Sequence, residues 1–185
     1  MPATLLVLGG GAVGLELAQA FARFGTAVTV VEAMGRLLPA EEPEAGALLA
    51  DVLRAEGGTV RTGARATGVR HREDGFRLTP DAGEEITRQR LLRATGRRAR
   101  LAGLGLETVG LDPEARAVDV DGRMRAADGV WGVGALTGRG LFTHVAMYQA
   151  EIAVRDILDA PGSKTDYCAL PRVTFTRPGS RLRGA

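Results

Sequence analysis

Three glycines, Gly9, Gly11 and Gly14, are spaced G-x-G-x-x-G inside LLVLGGGAVGLELAQAFARFG, residues 5–25, and an acid, Glu32, closes the next apolar run. This set suits the holding of phosphate rather than the breaking of bonds. The first glycine allows a tight turn out of a strand, and the second lets a pyrophosphate approach the backbone. The third lets the following helix pack close to the sheet. Ala12 and Val13 lie at the start of that helix, where unpaired N–H groups and the positive end of the dipole favour an anion. A carboxylate at position 32 can accept both hydroxyls of an adenosine ribose. The ligand implied is a dinucleotide. Glu32 would repel a 2′-phosphate, which favours NAD over NADP; Arg36, four residues on, could rescue the phosphate if its loop folds back. Glu16 is placed in the first turn of the helix, where the dipole alone favours an acid.

Regular elements must present these residues. The apolar run 4–8 suits a buried parallel strand. Val13, Leu17, Phe21 and Phe24 recur at helical spacing and predict the buried face of a helix that Gly25 ends. AVTVVE, 27–32, predicts a second buried strand. Leu48, Leu49, Val52 and Leu53 predict a second helix, opened near Glu42-Pro43-Glu44 and stopped by Gly57-Gly58, and residues 59–62 a third strand. This order makes a right-handed parallel sheet the default. Residues 66–96 then alternate at period two around Asp74-Gly75, an antiparallel excursion, with 90–95 returning to the parallel sheet. Further strands are predicted in 117–126 and 129–136, a helix over 143–158 with Val145, Ala146, Ile152, Ala153 and Ile157 on one face, and a strand fragment at 172–176. The fold class predicted is α/β, a Rossmann-like parallel sheet with an antiparallel β excursion.

Composition excludes several classes. Apolar residues make up 45% of the chain and aromatic residues 4%, so the core must be aliphatic. The net charge of +2 argues against a nucleic-acid binder, and its excess sits in a tail, 171–185, with Arg172, Arg177, Arg181 and Arg183 and no acid. That tail reads as a solvated, frayed end. A lone Cys168 excludes an internal disulfide and a cysteine-based metal site, and no metal site is expected. No apolar stretch approaches the ~20 residues that span a bilayer, and nothing resembles a signal peptide, so a soluble cytoplasmic protein with no membrane partner is the expectation.

GGGAVGLELA…FG…VTVVE…GRLLP, RATGRRAR…GLGLETVGL, VDGRMRAADGVWGVGALTG, LFTHVAMYQAEIA and LPRVTFTRP occur in this order. Together they resemble the class I pyridine nucleotide–disulfide oxidoreductases, flavoenzymes that include dihydrolipoamide dehydrogenase and mercuric reductase. The resemblance implies an NAD domain in residues 1–115, the returning part of an FAD domain in 116–160, and the start of an interface domain with the basic tail in 161–185. It assigns Gly9, Gly11, Gly14 and Glu32 to NAD, Gly96 to a second nicotinamide-side motif, and Glu16 to the neighbourhood of the flavin–nicotinamide contact.

The departures from the family pattern are as specific. These residues contain no second glycine cradle for FAD, no C-x-x-x-x-C pair and no C-terminal His and Glu. Gly134-Ala135 replaces the family's Gly-Asp, whose acid holds the flavin ribityl chain. No residue receives a catalytic role; His144 is expected to cap a helix or lie partly exposed, and His71 to face solvent. The expectation is an NAD(H)-binding portion of a flavin-dependent oxidoreductase, inactive alone and without FAD of its own. Self-association as a homodimer, or docking of a missing FAD and interface half, is expected through residues 116–160. The alternative is a stand-alone NAD-binding redox sensor or interaction module; a self-sufficient NAD-dependent dehydrogenase ranks last.

Overall fold

The first strand, β1 (Thr4–Leu8), buries Leu5, Leu6 and Val7. It is followed by α1 (Ala12–Arg23), β2 (Ala27–Val31), α2 (Pro43–Ala55) and β3 (Thr59–Arg61). A hairpin, β4 (Ala66–Arg72) and β5 (Gly75–Pro80), turns at Asp74-Gly75, and β6 (Ile86–Arg88) and β7 (Arg90–Arg93) complete the sheets of residues 1–96. This is a computed structural model, describing residues 1–183 and side chains as far as residue 179. The order of the parallel sheet is β3-β2-β1-β7, with every neighbour parallel, and β4-β5-β6 forms a separate antiparallel sheet. Both the parallel sheet and the antiparallel excursion match the sequence expectation.

Strand pleating divides the core, because successive side chains point to opposite faces. Leu5 and Val7 of β1, with Val28 and Val30 of β2, pack against Leu15 and Ala18 of α1 and Leu49 and Leu53 of α2. Leu6 and Val31 point the other way and meet Leu78 and Ile86 of the antiparallel sheet. Thr29, buried on that second face, accepts hydrogen bonds from Nε and Nη2 of Arg88 at 3.2 and 2.8 Å.

The face expected for α1 is incorrect. Val13 is 65% exposed, Leu17 and Phe24 are also exposed, and Phe21 is only partly buried, whereas Gly14, Leu15, Ala18 and Gln19 face inward. Packing of Gly14 against the sheet sets the rotation of the helix, and the small residues follow it inward. Gly25, at φ 88°, ends the helix as expected. In α2, Pro43 occupies the first turn and Leu49 and Leu53 are buried, but Leu48 turns out to solvent. The beginning of the basic tail is held rather than frayed. Gln19 accepts the Arg177 N–H at 2.8 Å and donates to the Arg177 carbonyl at 2.9 Å, and Arg172 Nε lies 3.3 Å from a Glu41 oxygen. The end of the expected frayed tail, residues 184–185, lies outside the described residues.

The second unit is built on residues 97–171. Its predicted strands are realised only as β8 (Arg125–Ala127) and β9 (Val130–Trp131). Asp121 Oδ1 accepts the N–H groups of Arg123 and Arg125, and Met124, fully buried, adopts φ 69°, so the segment before β8 turns instead of extending. Helix α3 (Thr143–Ile157) forms as expected; of its apolar face Val145, Ile152 and Ala153 are buried, Ala146 is half-buried and Ile157 is exposed, and the inward face also carries Gln149 and Asp156. A two-stranded ribbon of β10 (Pro171–Thr174) and β11 (Ser180–Arg183) follows, and its residues 172–182 belong to the first unit. No helix among the described residues is long and apolar enough to cross a membrane.

Polar groups on the inward face of α3 are satisfied, as burial demands. Gln149 accepts the Gly134 N–H at 2.6 Å and donates to Thr137 Oγ1 and the Tyr167 hydroxyl at 3.2 and 2.9 Å. The Asp156 carboxylate accepts from Arg125 Nε and Nη2, from Trp131 Nε1 at 2.8 Å and from Arg123 Nη1 at 3.2 Å. Hydrogen bonds from Arg125, then Trp131, hold its carboxyl well below the usual range. An acid in the last helical turn opposes the dipole, so the two guanidinium groups determine whether it can be there. A carboxyl lowered on folding stabilises the native state fully above its unfolded pKa, about 3.9, and loses that effect as pH falls through the native value. Asp156→Asn should therefore lower the melting temperature at pH 7, and the gap to wild type should narrow below about pH 4. Equal melting of the two proteins at pH 7 would show that this network contributes nothing.

Candidate functional site

Gly9 leaves β1 at φ 111°, its N–H donating to the Val31 carbonyl at 2.8 Å. A Cβ on Gly9 would overlap the Ala94 carbonyl oxygen, and one on Gly14 would overlap the Gly9 carbonyl oxygen. On Gly10 it would lie 2.7 Å from Leu37 Cδ2. Gly9 and Gly14 are required by the protein's own backbone packing, and a side chain on Gly10 would crowd Leu37 and Glu32.

Gly11 is different. Its φ of −83° is open to any residue, and a Cβ there would meet no protein atom within 4 Å. It is the N-cap of α1, with no side chain capping the helix. The first-turn N–H groups therefore have no capping side chain, the condition under which a helix start receives an anion. Ala12 is half-buried beside it and Val13 points outward.

A cleft of about 440 Å³ opens at the carboxyl ends of β1, β2 and β7, lined by residues that include Gly9, Gly11, Glu32, Arg65, Thr95 and Gly96. β2 lies on one side of β1 and β7 on the other, which makes this a topological switch point, where open α/β sheets bind ligands. Glu32 is 8% exposed. Its Oε2 accepts the Gly10 N–H at 2.6 Å and its Oε1 the Met34 N–H at 2.7 Å, and each oxygen retains a second lone pair for a hydroxyl. Gly96 sits across the cleft at φ 105° with open space beside it.

Two expected neighbours stand elsewhere. α1 begins at Ala12, so Glu16 lies in the second turn, not the first, and its Oε1 accepts the Phe175 N–H at 2.9 Å. Arg36 donates to the Glu41 and Pro39 carbonyls at 2.6 and 2.8 Å, so its guanidinium braces its own loop. Sequence reasoning missed Arg65, which reaches the cleft because Ala64 pairs with Glu32, its N–H donating to the Glu32 carbonyl at 3.0 Å. The signal available was the run Gly63-Ala64-Arg65 continuing the third strand alongside the end of the second.

The reactive side chains are not gathered. His144 is exposed, stacks on Phe142 at 5.3 Å and caps nothing; His71 is exposed against Phe76 at 4.6 Å. Cys168 is exposed, and hydrogen bonding with Asp166 pushes its thiol up, away from the reactive thiolate. Among the described residues no group of three or more His, Cys, Asp or Glu is arranged to hold a metal ion. Ala135, in the 3₁₀ turn Gly134–Thr137, presents only a methyl to solvent.

Residues 1–150 match the family described as pyridine nucleotide-disulphide oxidoreductase. A mercuric reductase of Streptomyces lividans is 41% identical over 183 residues, covering 96% of this chain and 38% of the relative. A dihydrolipoyl dehydrogenase of Thermus scotoductus is 39% identical over 186 residues, covering 96% and 40%. Among solved structures, LpdA from Mycobacterium tuberculosis superposes with a TM-score of 0.92 at 30% identity, covering 100% of this chain and 40% of that one. The HOCl-induced flavoprotein disulfide reductase RclA of Escherichia coli gives 0.85 at 32% identity, covering 96% and 41%. The chain spans about two fifths of the length of the curated relatives it matches. The glycine cradle, the strand order and these likenesses agree: the chain belongs to the pyridine nucleotide–disulphide oxidoreductase family.

Proposed function

We propose that this chain binds NAD(H) in the cleft at the carboxyl ends of β1, β2 and β7, as the nicotinamide-nucleotide portion of a flavin-dependent oxidoreductase. One observation carries the reading. Gly11 alone among the first three glycines is required neither by backbone conformation nor by any protein neighbour, yet it lines the cleft at an uncapped helix start. A glycine in that position suits a ligand backbone that comes within contact of the chain. Glu32, held by Gly10 and Met34, suits a ribose diol and disfavours a 2′-phosphate. In this reading Gly9, Gly14 and Gly96 shape the cradle and Ala12 and Val13 offer their N–H groups, while Glu16, bonded to the Phe175 N–H, takes no part in the cleft. Residues 1–115 are then the NAD domain and 116–160 the returning part of an FAD domain.

A ligand that binds only the native state adds roughly 2.7 kcal/mol of stability at a hundred times its dissociation constant. NADH should therefore raise the melting temperature, and more than NADPH does. Gly11→Ala should keep the unliganded melt within a few degrees, because losing a glycine N-cap costs about 1 kcal/mol, and should abolish the NADH shift. No shift with either nucleotide sinks the reading; equal shifts remove Glu32 as the discriminator.

The residues present do not fit a flavin. Position 135 offers a methyl where the family places an acid, and the Gly134 N–H is already bonded to Gln149. A polypeptide of these 185 residues should purify without a visible flavin band and without NADH-dependent disulfide reduction. Near-stoichiometric FAD in the purified protein would require a site elsewhere.

The second unit supports an associating surface within 116–160. Met147 and Ile157 on α3, and Leu158 just after it, are 69, 54 and 70% exposed. Exposed apolar side chains grouped on one element favour a partner, here a second copy or an FAD and interface half; the same surface would serve a redox-sensor module. Light scattering should report a homodimer or larger species for the 185-residue polypeptide, and Met147→Lys with Ile157→Lys should dissociate it. A monodisperse monomer at tens of micromolar would overturn self-association.

A further inference from the structure

Two charged side chains line the cleft, the anion Glu32 and the cation Arg65. Glu32 is committed to the N–H groups of Gly10 and Met34. The Arg65 guanidinium, by contrast, is exposed and makes no hydrogen bond or ion pair among the described residues. Its backbone is held on both sides. The Arg65 N–H donates to Asp81 Oδ1 at 3.0 Å, the Asp81 N–H donates to the Arg65 carbonyl at 2.8 Å, and the neighbouring Ala64 N–H donates to the Glu32 carbonyl at 3.0 Å. Asp81, the acid closest along these bonds, spends its carboxylate on the backbone and leaves the guanidinium unpaired. The position is thus anchored and the side chain left free.

The surroundings indicate what it would meet. Through the pairing of Ala64 with Glu32, Arg65 enters the cleft beside the end of β2, and Ala33, Pro39 and Ala66 line the same cleft. Small apolar walls and one planar cation suit a flat aromatic ring better than a phosphate, for which backbone N–H groups would be expected. A guanidinium stacks on aromatic faces and is less strongly hydrated than an ammonium.

We propose that Arg65 stacks on the adenine of the bound dinucleotide and closes the adenosine end of the cleft, an assignment that rests on the dinucleotide reading above. Arg65 is then a specificity-determining contact for the base, as Glu32 is for the ribose.

Calorimetric titration of the 185-residue polypeptide with NADH and with ADP-ribose tests this. Arg65→Ala should weaken both by the same factor, roughly three- to tenfold for one desolvated cation–π contact, with the unliganded melting temperature unchanged. The factor should persist at high salt, because stacking is screened far less than an exposed phosphate contact. Arg65→Lys, which keeps the charge but loses the plane, should recover less than half of the loss on a logarithmic scale. Unchanged affinity in Arg65→Ala, full recovery in Arg65→Lys, a factor that vanishes with salt, or a lowered unliganded melt each overturns the stacking role. If the wild type binds neither NADH nor ADP-ribose, the dinucleotide reading itself fails, an outcome distinct from a wild type that binds and a variant that binds equally well.

Discussion

Backbone contact at the end of β1 is the constraint from which the rest of the first unit follows. The Gly9 carbonyl lies against Gly14, and the Ala94 carbonyl against Gly9, at distances that leave no room for a Cβ. These contacts bring the start of α1, the end of β1 and the end of β7 together. They also set the rotation of α1, so that Gly14, Leu15 and Ala18 face the sheet and Val13 and Leu17 do not. A cleft lined by the uncapped helix start at Gly11 and by the strand-end carboxylate Glu32 is what this packing leaves open. The proposed binding geometry and fold stability therefore share the same glycines, apart from Gly11.

How much is legible in the sequence depends on whether a pattern is local. The runs that become β1 and β2 are almost continuously apolar because both faces are covered, and Asp74-Gly75 announces its hairpin, so strand order follows from simple rules. The face of α1 is not legible from apolar spacing. Leu and Phe at helical intervals predict a buried stripe, but the helix is pulled against the sheet by a glycine, and bulky residues on the far side remain exposed. Among cleft residues, those inside the glycine pattern can be named in advance. Arg65 cannot, because it enters through the pairing of Ala64 with Glu32, more than thirty positions apart along the chain.

The second unit shows the opposite limit. Its centre is organised around polar groups, Gln149 holding the 134–137 turn and Asp156 gathering Arg123, Arg125 and Trp131. Hydrophobic periodicity carries no record of such partners, which is why it groups Ile157 with Val145 and Ile152 on one face while Asp156 is the residue found buried beside them. The same holds for the segment preceding β8, where Asp121 captures two N–H groups and converts an alternating pattern into a turn. A buried polar network fixes one arrangement at the cost of leaving nothing to spare, since an unmatched member is expensive.

Glu32 joins the two themes. Its carboxylate is the group proposed to choose between a ribose hydroxyl and a 2′-phosphate, and it also accepts the N–H groups of Gly10 and Met34. Gly10 is buried, so removing the carboxylate leaves at least one donor without a partner, a loss of roughly 1–3 kcal/mol. The loop that carries Arg36 and Pro39 is fixed from the same place, because Leu38 donates to the Gly10 carbonyl at 2.9 Å. Relaxing the proposed preference for NAD at this one position would therefore loosen the wall of the site before it admitted a phosphate. In the proposed reading, coenzyme choice is coupled to the conformation of residues 33–41, and a change of preference requires new acceptors for Gly10 and Met34 together with a cation that is not, like Arg36, already spent on its own loop.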